Sequence, residues 1–338
     1  MMNKNTLLSL FNSFEGKQLL IIGDVMIDSY LWGRVDRISP EAPVPIVALN
    51  KRESRLGGAA NVALNVQNMG GVPILCSVIG EDEKSEVFFD LLQKQGLNHE
   101  GIIKSEERIT TVKFRVIGNN AQMLRVDEEV EFNLQKKESQ QLFKKIKTFV
   151  EAQKADAIIF EDYDKGVITP WLIREVTRLA HLHDLPVVVD PKKKNFWNYQ
   201  NVNLFKPNLK ELVEGLKLIE VPKTIEEIKQ ALHNLQWKLK AGIALVTLSD
   251  RGIYYSKHSN GKILEEGHIP AHVRDIADVS GAGDTVISLA ALCMASGASA
   301  EITARLCNLG GGLVCEHVGV VPVDKEKLFA EASKSFCR

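Results

Sequence analysis

A chain of 338 residues has room for one large α/β domain or two smaller ones, and 45% hydrophobic with 25% charged residues excludes disordered, collagenous and fibrous classes. Lys plus Arg (42) nearly cancels Asp plus Glu (43), so no global field draws nucleic acid or an anionic membrane, and any anionic ligand must be bound locally. In chain order, Leu19 to Gly23 is a short, continuously apolar run closed by glycine, as expected of a parallel strand covered on both faces. Runs of the same kind recur at Ile74 to Ile79, Ala157 to Phe160, Pro186 to Val189, Leu204 to Phe205 and Ile243 to Leu248. Helical periodicity lies between them, as at Pro170 to His183 and Ile225 to Lys240. Strands alternating with helices predict an α/β fold with a doubly wound, mainly parallel sheet and helices on both faces.

Two stretches break this rhythm. Pro43 to Leu49 is β-rich, and Ile109 to Ile117 and Ala121 to Asp127 alternate apolar with polar residues around Gly118-Asn119-Asn120, a hairpin signal. They predict a small inserted β lid, formed by segments of about 30–50 and 107–128, on a single domain spanning 1–338. No linker, repeat or low-complexity tract divides the chain, and Lys192-Lys193-Lys194 reads as a solvated loop. The five cysteines, Cys76, Cys293, Cys307, Cys315 and Cys337, show no C-x-x-C spacing and sit mostly among apolar residues. They read as buried thiols of a reducing compartment. Met1 to Gly16 has no basic n-region followed by an apolar h-region, and no uncharged apolar run reaches the roughly 18 residues of a membrane span. A cytoplasmic protein is expected.

The segment richest in chemistry is Asp278-Val279-Ser280-Gly281-Ala282-Gly283-Asp284-Thr285, which leads into the helix-forming run Val286 to Met294. Gly281 and Gly283 let backbone amides approach a ligand, and a helix N-terminus favours an anion such as a phosphoryl group in transfer. Asp284 can accept the proton of an attacking hydroxyl, or it can simply cap the helix. Leu56-Gly57-Gly58-Ala59-Ala60-Asn61 leaves room for ligand hydroxyls and offers Asn61 as donor and acceptor, although tight helix packing explains it too. Gly23-Asp24-Val25-Met26-Ile27-Asp28 puts two carboxylates after the first strand, where open α/β sheets bind ligands, and Asp28 can grip sugar hydroxyls or serve a loop.

In Lys206-Pro207-Asn208-Leu209-Lys210-Glu211, Asn208 and Glu211 read as a capping box, or as residues that organise Mg²⁺ beside nucleotide phosphates. Thr247-Leu248-Ser249-Asp250-Arg251-Gly252 ends a strand with hydroxyls and a glycine suited to a nucleotide phosphate, or to an ordinary turn. No Walker loop, no G-x-G-x-x-G after the first strand and no H-E-x-x-H is present. A Walker NTPase, a dinucleotide fold and a metal hydrolase are therefore disfavoured.

In this order the Gly-Gly helix near residue 57, the N-x-x-E near 208 and the D-x-x-G-A-G-D before 285 resemble the ribokinase-like, PfkB-type carbohydrate kinases over nearly the whole chain. The resemblance implies Asp284 as catalytic base with Gly281, Ala282 and Gly283 as anion hole. It implies a nucleotide site with Asn208, Leu209, Lys210 and Glu211, then Thr247, Ser249, Gly252 and Asn308, with Glu211 ordering Mg²⁺ through water. Asp28, Gly57, Gly58 and Asn61 fall where the family contacts the acceptor sugar. ATP and Mg²⁺ are the implied cofactors, and a monovalent cation is left open.

Gly23 to Asp28, Arg37 to Pro45, Leu124 to Asp127 and Asp162-Tyr163-Asp164-Lys165-Gly166-Val167 are similar to the heptose 7-phosphate kinases of that family, which phosphorylate the anomeric C1 hydroxyl in ADP-heptose synthesis for lipopolysaccharide. Glu161 and Asp164 depart from that group's pattern, where a small residue and a glycine are usual. For the remote phosphate of such a substrate the lid offers Arg34, Lys113, Arg115 and Arg125, or these cations simply pair with lid acids such as Glu128 and Glu129. With the chain ending soon after Val323, the resemblance implies a kinase that relies on a separate adenylyltransferase, and the family's habit of pairing lids implies a homodimer. Fructose 1-phosphate, fructose 6-phosphate or ribose are alternative acceptors, and a non-catalytic sugar-phosphate sensor is the alternative of another class.

Overall fold

The computed structural model describes residues 3–259 and 261–336. Helix α1 (Lys4–Ser13) leads into β1 (Gln18–Gly23), the long strands β2 (Val25–Ile38) and β3 (Pro45–Gly58), α2 (Ala59–Asn68), β4 (Val72–Gly80), α3 (Glu83–Lys94) and β5 (Ile102–Ser105). The hairpin β6 (Val112–Gly118) and β7 (Ala121–Glu128) follows, then α4 (Lys136–Glu151), β8 (Ala157–Glu161), α5 (Pro170–Leu182), β9 (Val187–Asp190) and β10 (Leu204–Phe205). The remainder is α6 (Leu209–Leu216), α7 (Ile225–Leu239), β11 (Ile243–Thr247), β12 (Ile253–Ser259), β13 (Lys262–Ile269), α8 (Ala282–Ala295), α9 (Ala300–Val314) and α10 (Lys325–Phe336).

Among the described residues the main sheet has nine strands in the order β13-β12-β11-β10-β9-β8-β1-β4-β5. Its strands run parallel except β12 and β13, which add an antiparallel edge. Side-chain alternation divides each central strand between two cores. Leu19 and Ile21 pack with α2, α8 and α9, whereas Leu20 and Ile22 pack with α4, α5 and α7. A strand buried on both faces has no polar alternation, which is why the central strands read as unbroken apolar runs. The doubly wound, mainly parallel architecture agrees with the sequence reading. The β12–β13 hairpin is an addition to it, because its half-exposed residues Lys257, His258, Glu265 and Glu266 carry no apolar run.

The second sheet has the order β3-β2-β6-β7. Asn119 and Asn120, both at positive φ (53° and 65°), make the two-residue turn between β6 and β7. This sheet reaches further than segments 30–50 and 107–128. Val25, Met26, Ile27 and Tyr30 on β2 and Leu56 on β3 are buried, so two strands run unbroken from the core into the lid. Cys76, Cys293, Cys307 and Cys315 are free and buried, and the reading of Cys337 lies outside the described residues. Among the described residues no helix is long and apolar enough to cross a membrane.

Asn65 joins three separate parts of the chain. Its Oδ1 accepts from Thr285 Oγ1 and from Val323 N, each at 2.9 Å, and its Nδ2 donates to Asn61 O at 2.9 Å, all without water access. Asn65→Ala strands a buried hydroxyl and a buried amide, and is expected to cost about 2–4 kcal/mol of stability, measured as a lower denaturation midpoint.

Candidate active site

Four central strands end in an ionisable residue. Asp24 follows β1, Glu161 ends β8 with Asp162 beside it, Asp190 ends β9 and Lys206 follows β10. Parallel strands deliver all of these to one carboxyl rim, and each is 4% exposed or less. Lys206 Nζ lies 2.8 Å from Asp190 Oδ2. Burial pulls the Lys206 ammonium down, but the carboxylates of Asp190 and Glu211 outweigh it and hold the group above its ordinary value. The Glu161 carboxyl is pushed well above the usual carboxylate range, first by burial and then by the charges of Asp190 and Asp284. Its Oε2 and the Oδ1 of Asp190 are buried without a partner.

Asp284 is the third residue of α8, and the helix is capped instead by Gly281 in the left-handed region (φ 82°) with no side-chain hydrogen bond. The capping alternative for Asp284 is thereby set aside. Its Oδ2 accepts from Asn61 Nδ2 at 2.6 Å and its Oδ1 from the Tyr163 hydroxyl at 2.7 Å. Burial pushes the Asp284 carboxyl up to about 6, while the bonds from Asn61 and Tyr163 pull the other way. The first-turn amides of α8 have no acceptor within the helix. A Cβ on Gly283 would stand 3.5 Å from Asp190 Oδ2 and 3.8 Å from Lys206 Nζ, so the small-residue turn, a buried carboxylate and a buried cation meet at one point.

The opposite wall comes from β2, β3 and α2. Asp28 lies within β2 rather than in a loop, and it forms an ion pair with Arg115 of β6. A Cβ on Gly57 would overlap the Asp28 carboxylate, and Gly58 turns from β3 into α2 at φ 59°. Asn61, on the first turn of α2, is wholly buried. These residues and Asp284 come together.

On the neighbouring strand ends Asn208 caps α6, and the capping box is complete, with Asn208 Oδ1 accepting from Glu211 N and Glu211 Oε2 from Asn208 N, each at 2.8 Å. Glu211 keeps its second oxygen free for Lys192, which pairs with it and lies over the Tyr163 ring. The solvated-loop reading of Lys192 to Lys194 is corrected here: Lys192 and Lys194 are both tied down, the latter donating to Glu131 O and Asp164 O at 2.9 and 3.0 Å. Thr247 bridges to Asn208, Ser249 (φ 58°) and Gly252 (φ 86°) shape the following turn, and Leu209 packs on the core. Lys210 is exposed beside Glu214, and Asn308 of α9 donates to Pro270 O at 2.9 Å.

The four lid cations separate. Arg115 reaches the Asp28 wall, Lys113 pairs with Asp127 and Glu129, and Arg34 and Arg125 sit on the outer lid against Asp36 and Asp127. Tyr163, Asp190, Lys192 and Lys206 line this site without a role assigned to them from the sequence, and Glu161 enters the sequence reading only as a departure from the heptose-kinase pattern. The available signal was their position, each in or just beyond an apolar strand.

Among the described residues no group of three or more His, Cys, Asp or Glu could hold a metal ion. Glu211, whose carboxylate is held by the Asn208 amide and by Lys192, nevertheless suits Mg²⁺ through water, since that ion keeps most of its shell as water and nucleotide phosphate oxygens.

Because the Asp284 carboxyl titrates at about 6 in place of 3.8, the folded chain holds this proton more tightly than the unfolded one. Its contribution to stability therefore falls as pH rises through that interval. Asp284→Asn is expected to match the parent near pH 4 and to exceed it above pH 7 by at most about 3 kcal/mol, read from thermal midpoints at both pH values.

Residues 17–327 match the family described as pfkB family carbohydrate kinase. The Caulobacter vibrioides protein named Bifunctional protein HldE is 38% identical over 325 residues, covering 96% of this chain and 65% of its own length. The Helicobacter pylori protein of the same name is 34% identical over 317 residues, covering 92% of this chain and 65% of its own. The chain thus spans about two thirds of the length of these curated relatives. Among solved structures, Escherichia coli phosphofructokinase-2 in complex with potassium superposes with a TM-score of 0.74 at 17% identity, over 94% of this chain and 99% of that one. Arabidopsis thaliana ribokinase complexed with ribose and ATP gives 0.70 at 16%, over 93% and 99%. These two likenesses establish the ribokinase-like fold, and the match over residues 17–327 places the chain in the pfkB family of carbohydrate kinases, phosphotransferases that act on an alcohol group.

Proposed function

We propose that this kinase transfers the γ-phosphoryl group of ATP to the anomeric C1 hydroxyl of D-glycero-β-D-manno-heptose 7-phosphate, giving the 1,7-bisphosphate used in ADP-heptose and lipopolysaccharide synthesis. The observation that carries the transfer chemistry is Asp284, a buried carboxylate held by two donors at the start of a small-residue helix. Asp284 takes the hydroxyl proton, the amides around Gly281 to Gly283 hold the transferring group, and Lys206 and Lys192 add positive charge on the nucleotide side. Asn208 and Glu211 would hold Mg²⁺ through water, and the ion supplies charge neutralisation on the phosphates. Asp28, Gly57, Gly58 and Asn61 orient the sugar.

The heptose acceptor is supported by the similarity of Gly23 to Asp28 and Asp162 to Val167 to heptose kinases, and by relatives that share one name at 34–38% identity. Among the lid cations, Arg115 and Lys113 are the half-buried pair nearest that wall and the better candidates for the remote phosphate, since Arg34 and Arg125 are exposed. An adenylyltransferase acting on the product is the pathway partner this reading implies. A cytoplasmic location is supported by four free, buried thiols.

With ATP, Mg²⁺ and a panel of sugar phosphates, selective ADP release and a heptose bisphosphate mass are expected. Turnover only with fructose phosphates or ribose would discard the heptose assignment and keep the kinase. Asp284→Asn is expected to lower kcat by about a thousandfold or more while ATP still binds; retained turnover would reassign the base.

The outer lid exposes Ile38, Leu124 and Val126, an apolar surface suited to the lid of a second copy. Val126→Glu is expected to convert a dimer to a monomer in sedimentation, and a parent chain that sediments as a monomer would remove the dimer from this reading.

A further inference from the structure

The Asp162-to-Val167 segment is far more constrained than a connecting loop needs to be. The buried Asp24 carboxylate accepts three of its backbone amides, with Oδ2 taking Tyr163 N at 2.8 Å and Lys165 N at 3.1 Å, and Oδ1 taking Val167 N at 3.0 Å. Asp162 is gripped by the Tyr199 hydroxyl at 2.6 Å and by Asn195 Nδ2 at 3.1 Å. Asp164 and Gly166 both take positive φ, 58° and 90°, and a Cβ on Gly166 would overlap Phe132 O. A chain path specified this closely fixes where Tyr163 points. Its hydroxyl donates to Asp284 Oδ1 at 2.7 Å, and Lys192 Nζ stands 5.4 Å from its ring centroid while pairing with Glu211.

We propose that Tyr163 is a positioning residue for phosphoryl transfer: its hydroxyl fixes the orientation and basicity of Asp284, and its ring, beneath Lys192, ties the base to the nucleotide side at Glu211. The inference rests on Asp284 acting as base. A carboxylate with one oxygen on Asn61 and the other on Tyr163 cannot rotate, so its remaining lone pairs keep a fixed aim at the acceptor hydroxyl. The phenol does this without exchanging a proton, since burial and then the Asp284 charge push its own ionisation far above the working range. The titratable groups facing Asp284 are Asp28, Asp190 and Glu161, with Lys206 near the helix start. Among these acids Tyr163 and Asn61 are the donors that favour its anion.

Tyr163→Phe keeps the ring and deletes the donor. The expected result is a kcat lower by about ten- to a hundredfold, an acceptor KM within about threefold, and a rising limb of kcat/KM against pH moved upward by about one pH unit. Lys192→Met leaves the phenol in place and is expected to raise the ATP KM several-fold and move the limb the same way by less. A purely structural tyrosine would alter stability and leave the limb where it was. An unmoved limb in Tyr163→Phe overturns the proposal whatever its kcat; should that variant not fold, an unmoved limb and unchanged ATP KM in Lys192→Met overturn it. If Asp284→Asn is inactive, such a result removes Tyr163 alone, whereas an active Asp284→Asn removes the base and this inference together.

Discussion

A carboxylate buried away from water is the constraint on which this structure turns. Asp284 is 3% exposed, and a carboxylate so placed is costly unless hydrogen bonds replace its hydration. Each neighbour answers that need from a different part of the chain. Asn61 comes from the helix after the Gly57-Gly58 turn, Tyr163 from the end of β8, and the backbone dipoles of α8 from its own N-terminus. The Gly57-Gly58 pair lets β3 come close enough to Asp28 and Asp24 for Asn61 to reach Asp284. The same dry environment that makes the charge expensive also strengthens every electrostatic interaction offered to a phosphoryl group.

The rim around Asp284 holds more acid than it can ionise. Glu161, Asp162, Asp190 and Asp24 are all buried within the same set of strand ends. Burial and the Asp24 charge push the Asp162 carboxyl up to about 7, and burial with the charges of Asp190 and Asp284 raises Glu161 well above its ordinary value, so protons as well as cations neutralise part of this cluster. Lys206 neutralises Asp190 directly. Lys192 and Lys206 are the cations at these strand ends that an incoming polyanion would meet. Glu161 stands where the resemblance to heptose kinases leads one to expect a small residue, and its buried, unpartnered Oε2 adds an acid to the wall of the site without a new ion pair.

What the sequence made legible follows from how locally each feature is specified. The doubly covered strands announce themselves as apolar runs because burial on both faces leaves no other pattern, and the Asn119-Asn120 turn because two consecutive positive φ values suit asparagine. Asn208 and Glu211 were legible as a capping box because three residues separate the partners. Tyr163 was not, because its partner lies 121 positions away. Lys192 was not, because a triplet of lysines looks solvated until Glu211 and Tyr163 are brought beneath it. The inner half of the lid was hidden for another reason: β2 changes along its length from buried to exposed, so its outer part loses the pattern that marks its start.

That change along β2 couples the lid to the chemistry. Val25 to Tyr30 belong to the core wall, while Gly33 to Ile38 belong to the lid, and β6 runs parallel to β2 from Val112 to Gly118. On the proposed reading, a closing movement of the outer lid would pass through the backbone of β2 and β6 to Asp28 and Arg115. In this structure Arg115 spends its charge on Asp28, stacked against Tyr30. On the proposed reading the acceptor presents hydroxyls to Asp28 and a phosphate to Arg115, so it must divide that pair between its two ends. A neutral sugar offers nothing to Arg115 and would leave the pair intact. Discrimination for a phosphorylated acceptor then arises from the price of separating two buried opposite charges, which only a ligand carrying its own anion offsets.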